Sequence, residues 1–347
     1  MTRIAHHLVR GLVALLIFGL VLLTLAQQAG PLGPWWLELS RYLPYPALLG
    51  PALLALLLAC ALGWRWVLAS LVTLGLVVTL AMGLAWGRPD AGGTPLRVMT
   101  WNIKASKAVM RDGGFDALAR EVALHRPDIL VTQDNHGASR IEAAAIWPNG
   151  RAFGLPHSFA VEQYVVASRY PLRDCTLGRI DDRDPLTSHV RCSVDVNGAL
   201  LDVVTAHFES PRAGLNAARR EGLAGVDDWR ENYEERLGQA QALARDLRGR
   251  RDGQTGARPL IVAGDLNAPE SSPVIRALLG LGLRDAFSSA GRGYGYSYGH
   301  ALRVGFSFLR IDHILVSAEL GVVDAFAGGA QASEHRPVIA DLLLPPR

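Results

Sequence analysis

The segment Pro259–Pro269, with the sequence PLIVAGDLNAP, decides the fold of this chain. Its apolar run predicts a buried strand, and the Gly-Asp-x-Asn-x-Pro sequence that follows predicts a turn. Because side chains alternate along an extended chain, Asp265 and Asn267 are expected on one face of it. A carboxylate there can bind a hard cation, and an amide can hold a phosphoryl oxygen or an attacking water. The same residues also form ordinary turns, so the other strand ends must decide whether this segment has a chemical role.

Polar side chains also end several other predicted strands. The alternating strand 96–102 ends at Asn102, and the strand 128–134 ends in the pair Gln133-Asp134. His207 ends the strand 199–207, Asp312 and His313 lie within the predicted strand 309–316, and Glu334 and His335 precede the predicted strand 337–343. Each of them alone has a structural explanation, such as a cap or a buried histidine. Together, polar residues at the ends of apolar strands indicate a site at one edge of a sheet.

From residue 96 onward, short apolar strands alternate with amphipathic helices. Strands are predicted at 161–167 and in the pair 188–196 and 199–207, which an Asn-Gly hairpin signal joins. Apolar spacing predicts a helix at 233–247. Many strands joined by hairpins predict a layered α/β (α+β) domain with mixed or antiparallel sheets, since a doubly wound parallel fold would alternate more regularly.

The first 86 residues are unusually apolar and predict a membrane region. The whole chain is 50% hydrophobic, with a mean hydropathy of +0.18. Apolar, uncharged stretches predict about three helical spans, at about 10–27, 46–63 and 66–86, with tryptophans near their ends. A cleaved signal peptide is the alternative explanation of the first segment. The stretch 87–95 has the composition of a linker, and the domain 96–347 is expected to follow it.

The basic residues indicate an orientation for this membrane region. Arg3 and Arg10 favour a cytoplasmic N-terminus. After three spans, the later domain is then expected outside the cytoplasmic membrane, in an integral membrane protein. Cys175 and Cys192 can pair in that compartment, but two buried free thiols are an equally good explanation. The net charge of +3 is too small to indicate nucleic acid as a partner.

The types of the candidate residues narrow the chemistry. Carboxylate and amide oxygens, without a Cys or His cluster at zinc spacing, suit Mg²⁺, Mn²⁺ or Ca²⁺. Histidines beside carboxylates suit proton transfer and charge neutralisation at phosphate. The predicted site therefore fits metal-assisted chemistry on a phosphate group.

Six motifs occur in the order found in the endonuclease/exonuclease/phosphatase superfamily. They are Thr100-Trp101-Asn102-Ile103, Gln133-Asp134, Ala206-His207, Gly264-Asp265-x-Asn267, Arg310-Ile311-Asp312-His313 and Ser333-Glu334-His335-Arg336-Pro337. Over roughly residues 96–345 the chain resembles this superfamily, which includes deoxyribonuclease I, abasic-site endonucleases, inositol polyphosphate phosphatases and neutral sphingomyelinases. The resemblance implies a four-layer αββα sandwich that hydrolyses a phosphoester by in-line attack of water, assisted by Mg²⁺ or Mn²⁺.

The resemblance also implies a role for each matching residue. One or two Mg²⁺ or Mn²⁺ ions are expected at Asn102, Asp134 and Glu334. Catalytic roles are expected for His207, Asp265, Asn267, Asp312 and His335. Among these, Asp265 and Asn267 would orient the attacking water and hold the phosphoryl group, and His207 would stand near the leaving group. Asp312 would pair with His335, which contacts phosphate or acts as the general base.

Two positions depart from the superfamily pattern. Asp134 stands where a Glu is usual, and Glu334 stands where an Asp is usual. Our hypothesis is that the two changes compensate, because Glu334 reaches further towards a metal that Asp134 holds from a shorter side chain. A degraded site is the alternative. The Mg²⁺ affinities of the two single exchanges and of the double exchange would distinguish them.

The resemblance does not name the substrate. Arg212, just after His207, is placed to contact a substrate phosphate, together with Asn267 and His335. A membrane region before the domain favours the lipid bilayer as a partner and a lipid-linked phosphoester or pyrophosphate as the substrate. The alternatives are a membrane-tethered nuclease acting on DNA or RNA, and a non-catalytic membrane module that binds phosphorylated ligands. No protein partner is indicated.

Overall fold

The computed structural model describes residues 3–30, 33–136, 144–180, 188–222, 224–252 and 258–345. The chain divides into two compact units. The first unit is Met1–Leu84 with Ser271–Pro273, and the second is Ala85–Glu270 with Val274–Arg347.

The first unit is helical. Its α-helices are α1 (Arg3–Gln27), α2 (Trp35–Ser40), α3 (Leu49–Ala59) and α4 (Trp64–Leu76), with a 3₁₀ turn at Tyr45–Leu48 and a π-helical turn at Val77–Ala81. By length and composition, the helical stretches Arg3–Gln27 and Trp64–Ala81 are candidates to cross a membrane, whereas Tyr45–Ala59 is shorter. The structure thus has two long candidates where the sequence predicted three spans.

The predicted end of the third span at residue 86 is wrong. The helical stretch ends at Ala81, and Ala85–Trp86 form a short strand that pairs with Arg292–Gly293. Hydropathy continues through this stretch, but the backbone turns at Gly83, whose φ of 72° is strained for other residues. Apolar composition alone therefore overestimated the length of the helix.

The second unit contains two six-stranded sheets and a two-stranded ribbon. Its strands are β1 (Ala85–Trp86), β2 (Thr94–Asn102), β3 (Ile129–Gln133), β4 (His157–Val161), β5 (Tyr164–Ser168), β6 (Leu172–Arg179), β7 (Ser188–Val196), β8 (Ala199–His207), β9 (Leu260–Asp265), β10 (Leu283–Asp285), β11 (Arg292–Gly293), β12 (Asp312–Ser317), β13 (Gly321–Ala327) and β14 (Val338–Leu344). The first sheet has the order β10-β12-β9-β8-β7-β6, and the second has the order β13-β14-β2-β3-β5-β4. Only the pairs β2–β3 and β8–β9 are parallel among the described strands.

Helices accompany these sheets along the chain. They are α5 (Ala105–Ala108), α6 (Gly114–His125), α7 (Arg212–Glu221), α8 (Gly225–Asp252), α9 (Pro273–Leu279) and α10 (Ala286–Ala290), with 3₁₀ turns at Pro148–Gly150 and Ala152–Gly154. The fold is thus a mixed α/β fold with two sheets, as predicted, and is consistent with the expected sandwich.

Alternation along the strands divides the apolar side chains between two cores. Val98 of β2 and Ile261 of β9 belong to a large buried core to which both sheets contribute. Met99, the neighbour of Val98, points to the other face of its sheet and packs in a second core with Leu118 and Val122 of α6. Because the period is two, every second residue of β2 and β9 faces the same core as Val98 and Ile261.

Close packing of β8 against β9 explains the glycine before Asp265. A Cβ atom on Gly264 would lie 2.0 Å from the carbonyl oxygen of Ala206 on the neighbouring strand. No side chain fits at that distance, so a glycine is required here. The Gly-Asp pair that the sequence suggested as turn chemistry is therefore the end of a central strand.

One predicted strand is wrong in its bounds. The segment 161–167 contains the end of β4 and the start of β5, which form an antiparallel hairpin. The turn lies at Glu162-Gln163, and Glu162 has a φ of 51°. Neither residue is a typical hairpin-turn residue, so the sequence carried no local signal of the break.

Cys175 of β6 and Cys192 of β7 form a disulfide, and Cys60 is a free, exposed cysteine. The chain has three cysteines in total. We therefore expect that the full-length protein, unfolded without reductant, exposes one reactive thiol, and that reduction raises the number to three. Mass spectrometry after maleimide labelling measures both numbers.

The variant Cys60→Ser provides the control for this prediction, because it should show no reactive thiol before reduction. Three reactive thiols in the unreduced wild-type protein would contradict the disulfide.

Candidate active site

The face of each sheet that lines the large core becomes polar at one end. Asp265 ends β9 on the same face as Ile261, and Asn102 ends β2 on the same face as Val98. His207 is the register partner of Asp265 across the parallel pair β8–β9. Asp312, which begins the antiparallel strand β12, is the register partner of Asp265 on its other side. The predicted strand-end residues are therefore brought together by the register of neighbouring strands.

The Asp265 carboxylate is the centre of this group. Its Oδ2 accepts a hydrogen bond of 2.9 Å from Asn102 Nδ2. The same oxygen lies 3.5 Å from His207 Nε2 and 3.7 Å from His335 Nε2. Its Oδ1 accepts a hydrogen bond of 3.1 Å from the backbone N–H of Asn267. Four residues that the sequence proposed for the site thus meet around the buried carboxylate of a fifth, Asp265.

Asp312 and His335 form the second part of the group. His335 Nδ1 lies 2.9 Å from Asp312 Oδ2, as the sequence predicted. Ser333 supports the pair, since its hydroxyl accepts from the His335 N–H at 3.3 Å and donates to the Asn102 carbonyl at 2.8 Å. The Tyr298 ring lies 4.8 Å from the imidazole of His335, measured between ring centres.

Burial and charge shift the pKa values of these groups in different directions. Burial lowers the pKa of His207 and raises the pKa of Asp312. Burial also opposes charge on His335, but the carboxylates of Asp312 and Asp265 outweigh it and raise the pKa of His335. For Asp265, burial is outweighed by His335 and His207, which lower the pKa of this carboxyl. Asp265 is thus held as a carboxylate, and His335 is favoured as a cation.

His207 is oriented from the other sheet. Its Nδ1 lies 2.7 Å from Gln163 Oε1, and its backbone N–H donates to the Tyr164 hydroxyl at 3.2 Å. With Nδ1 donating to the Gln163 oxygen, Nε2 is the nitrogen that faces Asp265. Gln163 was not identified from the sequence, because it lies in the unexpected turn between β4 and β5.

The predicted metal-binding carboxylates each lie near a side-chain cation of the protein. Asp134 Oδ2 is 2.8 Å from Lys104 Nζ, and Glu334 Oε2 is 3.8 Å from Arg212 Nη2. Arg212 also donates a hydrogen bond of 2.9 Å to the Tyr298 hydroxyl. Lys104 and Tyr298 were missed as site residues, although Lys104 directly follows the first motif.

Two of the candidate residues, His313 and Asn267, make hydrogen bonds that support the structure around the site. His313 points away from the Asp312 face and is buried, with Nδ1 2.7 Å from Asp285 Oδ2 and Nε2 2.9 Å from the Ala268 carbonyl. Asn267 has a φ of 49° and donates from Nδ2 to the Phe208 carbonyl at 2.8 Å. His313 therefore has a supporting role behind the site, while Asn267 fixes the loop after β9.

The donor atoms of the site fit a hard divalent cation. Among the described residues, one ligand atom from each of Asp265, Asp312 and His335 lies within 4.8 Å of the others. Asp312 Oδ1 is buried and has no hydrogen-bond partner in the described part of the chain. A free carboxylate oxygen beside other oxygen donors is typical of a Mg²⁺ or Mn²⁺ environment. Asp134 and Glu334 lie outside this three-residue group, so their metal-binding role stays a prediction.

Comparison with known proteins identifies the family of this chain. Residues 99–335 match the model of the Endonuclease/Exonuclease/phosphatase family. The chain belongs to the endonuclease/exonuclease/phosphatase family. The membership identifies it as a hydrolase that acts on phosphoester bonds. No curated protein sequence matches the chain.

Solved structures of this family share the fold. Truncated TDP2 from Caenorhabditis elegans is 15% identical, has a TM-score of 0.54, and covers 72% of this chain and 97% of its own. A family protein from Bacteroides thetaiotaomicron is 15% identical, with a TM-score of 0.53 and coverage of 74% and 100%. A mannosyl-6-phosphatase from the same organism is 15% identical, with a TM-score of 0.52 and coverage of 72% and 100%.

The Asp312–His335 pair generates a prediction for this hydrolase. Asp312→Asn keeps an oxygen acceptor for His335 but removes the charge that favours its protonated form. We expect kcat to fall about 10²-fold or more, because positioned acid–base groups contribute about 10²–10⁴-fold. Steady-state phosphoester hydrolysis measures this, with circular dichroism to verify the fold.

Asp324→Asn is the matched control, since Asp324 is exposed on β13. Equal loss of activity in both variants, or none in Asp312→Asn, would contradict a catalytic role for the pair.

Proposed function

We propose that the protein is a membrane-anchored phosphoesterase that uses Mg²⁺ or Mn²⁺ to hydrolyse a lipid-linked phosphoester or pyrophosphate. The observation that supports the chemistry is the buried Asp265 carboxylate, which faces His207 and His335 at once. A negative group held between two imidazoles can orient an attacking water while the imidazoles face the phosphoryl oxygens.

Each residue has a place in this proposal. Asp265 accepts a hydrogen bond from the attacking water and aligns it for in-line displacement. His335, which Asp312 holds in place and favours in its charged form, donates to a phosphoryl oxygen. His207 Nε2 lies on the leaving-group side, and Asn267 contacts the phosphoryl group.

A divalent ion would be held by Asn102, Asp134 and Glu334, with Asp265, Asp312 and His335 beside it. When bound, the ion acts as a Lewis acid that neutralises charge on the phosphoryl oxygens. Asp134 is shorter and Glu334 is longer than the residue usual at its position, and we propose that the two changes compensate each other around this ion.

The lipid preference is supported by exposed apolar side chains on two loops beside the site. The described part of the second unit has nine exposed large apolar side chains, and five of them are Val109, Met110, Leu302, Val304 and Phe306. The first loop is tied to the segment before His335 by Arg111, which donates to the Gln331 carbonyl at 3.1 Å. The second is tied to the same segment by His300, whose Nε2 lies 3.0 Å from the Ser333 carbonyl.

Apolar tips next to Arg111 and Arg303 have the composition of a surface that enters a bilayer interface. Apolar side chains enter the acyl region, and the guanidinium groups meet phosphate head groups. A substrate phosphate at the same interface would then be close to the site. This is why we favour a lipid-linked substrate over a soluble one.

The proposed location is the outer side of the cytoplasmic membrane. The Cys175–Cys192 disulfide supports it, because such bonds persist in oxidising compartments. We propose three spans, with Tyr45–Ala59 as the short second one, and a cytoplasmic N-terminus near Arg3 and Arg10. An odd number of spans then places the hydrolase domain outside.

A membrane-tethered nuclease is the second candidate. The rings of Tyr294 and Tyr296 stack with their centres 5.1 Å apart and an interplanar angle of 11°. Half-buried tyrosines of this kind can stack on unpaired bases of DNA or RNA.

The substrate class is tested with the full-length protein in lipid nanodiscs. DNA, RNA, phospholipid and lipid pyrophosphate are offered with Mg²⁺ or Mn²⁺. We expect turnover of a lipid substrate, lost in Asp265→Ala and on chelation of the metal. Cleavage of DNA or RNA with the same dependence, and no lipid turnover, would establish the nuclease instead. A protein that binds phosphorylated ligands but no divalent metal would be the non-catalytic module.

Phe306→Ser tests the apolar loops. We expect turnover on vesicles to fall several-fold, since about 25 cal/mol is lost per Å² of apolar surface that no longer enters the lipid. Turnover of a short-chain, soluble analogue should not change. Leu124→Ser, at another exposed apolar residue of the same unit, is the control and should change neither rate. An equal effect of Phe306→Ser on both substrates would show that the loop has no lipid role.

A further inference from the structure

Lys104 is an unusual residue for this chain. The sequence has 35 Lys and Arg residues, and only Lys104 and Lys107 are lysines. Lys107 is exposed, whereas the Lys104 side chain is 22% exposed and its partner Asp134 is 19% exposed. The Lys104 Nζ–Asp134 Oδ2 distance is 2.8 Å.

The backbone holds this ion pair in place. Lys104 and Asp134 have φ values of 46° and 57°, both in the left-handed region. The N–H of Lys104 donates to Asn102 Oδ1 at 3.1 Å, and the N–H of Ala105 donates to the Asp134 carbonyl at 2.9 Å. The second of these bonds extends the β2–β3 pairing beyond the ends of the two strands. The contact is therefore set by the sheet, unlike a pair of long side chains that meet on a surface.

The ammonium group belongs to the electrostatic environment of the active site. Burial opposes the charge of Lys104, but the Asp134 carboxylate outweighs it and raises the pKa of the amine, with Asp265 adding to the effect. Burial likewise opposes charge on Asp134, and Lys104 outweighs it and lowers the pKa of the carboxyl. Both groups are charged near neutral pH.

We propose that Lys104 is a phosphate-binding residue that exchanges partners, leaving Asp134 for the substrate phosphate when a divalent ion binds Asp134. The inference rests on the proposed function for the presence of a metal and a phosphate at this site. A carboxylate that coordinates Mg²⁺ at about 2.0–2.1 Å gives up much of its charge to the metal, and so holds an ammonium less strongly. The lysine side chain is flexible, so its ammonium can turn to a phosphate oxygen without movement of the backbone.

Partner exchange has a thermodynamic consequence. Metal binding would free the cation that binds phosphate, and phosphate binding would free the carboxylate that binds metal. By linkage, each ligand then increases the affinity of the other by the same factor. A lysine that only stabilises the fold would produce no such coupling.

The first experiment measures binding by isothermal titration calorimetry with the full-length protein in detergent. The probes are Mn²⁺ alone, inorganic phosphate alone and phosphate in the presence of Mn²⁺. For Lys104→Met we expect tighter Mn²⁺ binding, because the competing cation is gone. We expect phosphate binding in the presence of Mn²⁺ to be about tenfold weaker, because one charge-assisted hydrogen bond is lost. Lys107→Met is the control and should match the wild type.

The proposal requires that Lys104→Met strengthens Mn²⁺ binding and weakens phosphate binding. Weaker binding of both ligands, or no change in either, would overturn it. These binding measurements need no turnover, so their outcome is independent of the hydrolysis assay. The hydrolysis assay can show no lipid turnover while the binding data still show that Lys104 exchanges partners.

The second experiment leaves Lys104 itself unsubstituted. Reductive methylation with ¹³C-formaldehyde keeps the charge of both lysines and gives each a separate NMR signal, which Lys107→Arg assigns. We expect the Lys104 signal to shift on addition of Mg²⁺ and again on addition of phosphate, while the Lys107 signal does not move. A Lys104 signal that is unchanged by Mg²⁺ would show that the lysine keeps its ion pair with Asp134, and would reject the proposed exchange.

Discussion

The hydrogen bond from Asn102 Nδ2 to Asp265 Oδ2 is the interaction on which the rest of the site depends. Asn102 ends a strand of one sheet, and Asp265 ends a strand of the other. A buried carboxylate is costly unless it is hydrogen-bonded and faces positive groups, so the two sheets must end together for Asp265 to remain charged. His207 and His335 complete its surroundings, with their Nε2 atoms 3.5 Å and 3.7 Å from Asp265 Oδ2.

The side chains of the apolar core and those of the polar site lie on one continuous face of β2 and of β9. The alternation that buries Val98 and Ile261 leads, within a few residues along β2 and β9, to Asn102 and Asp265. A strand can change from apolar to polar side chains in this way without any change of its backbone. The strands therefore position Asn102 and Asp265, while loops such as the one around Tyr298 supply further contacts to the site.

The charges of the site are balanced by the protein to an unusual degree. Lys104 faces Asp134, Arg212 lies near Glu334, and His335 faces both Asp265 and Asp312. A phosphate substrate and a divalent ion would enter a site in which Lys104, Arg212 and His335 already face carboxylates, and under our proposal Lys104 exchanges its partner. Affinity for either ligand then depends on the presence of the other, which suits an enzyme that should act only when both are bound.

The sequence by itself determined the mixed α/β class, the family and the residues that end its strands, because alternation and motif order are local properties. It overestimated the third apolar segment and missed the turn at Glu162-Gln163, because neither break has a strong local signal. Only the tertiary structure decided that Lys104 pairs with Asp134, that Gln163 orients His207 and that Cys175 bonds to Cys192. These contacts join residues far apart in the chain, and strand register and sheet packing, which no local pattern specifies, bring them within bonding distance.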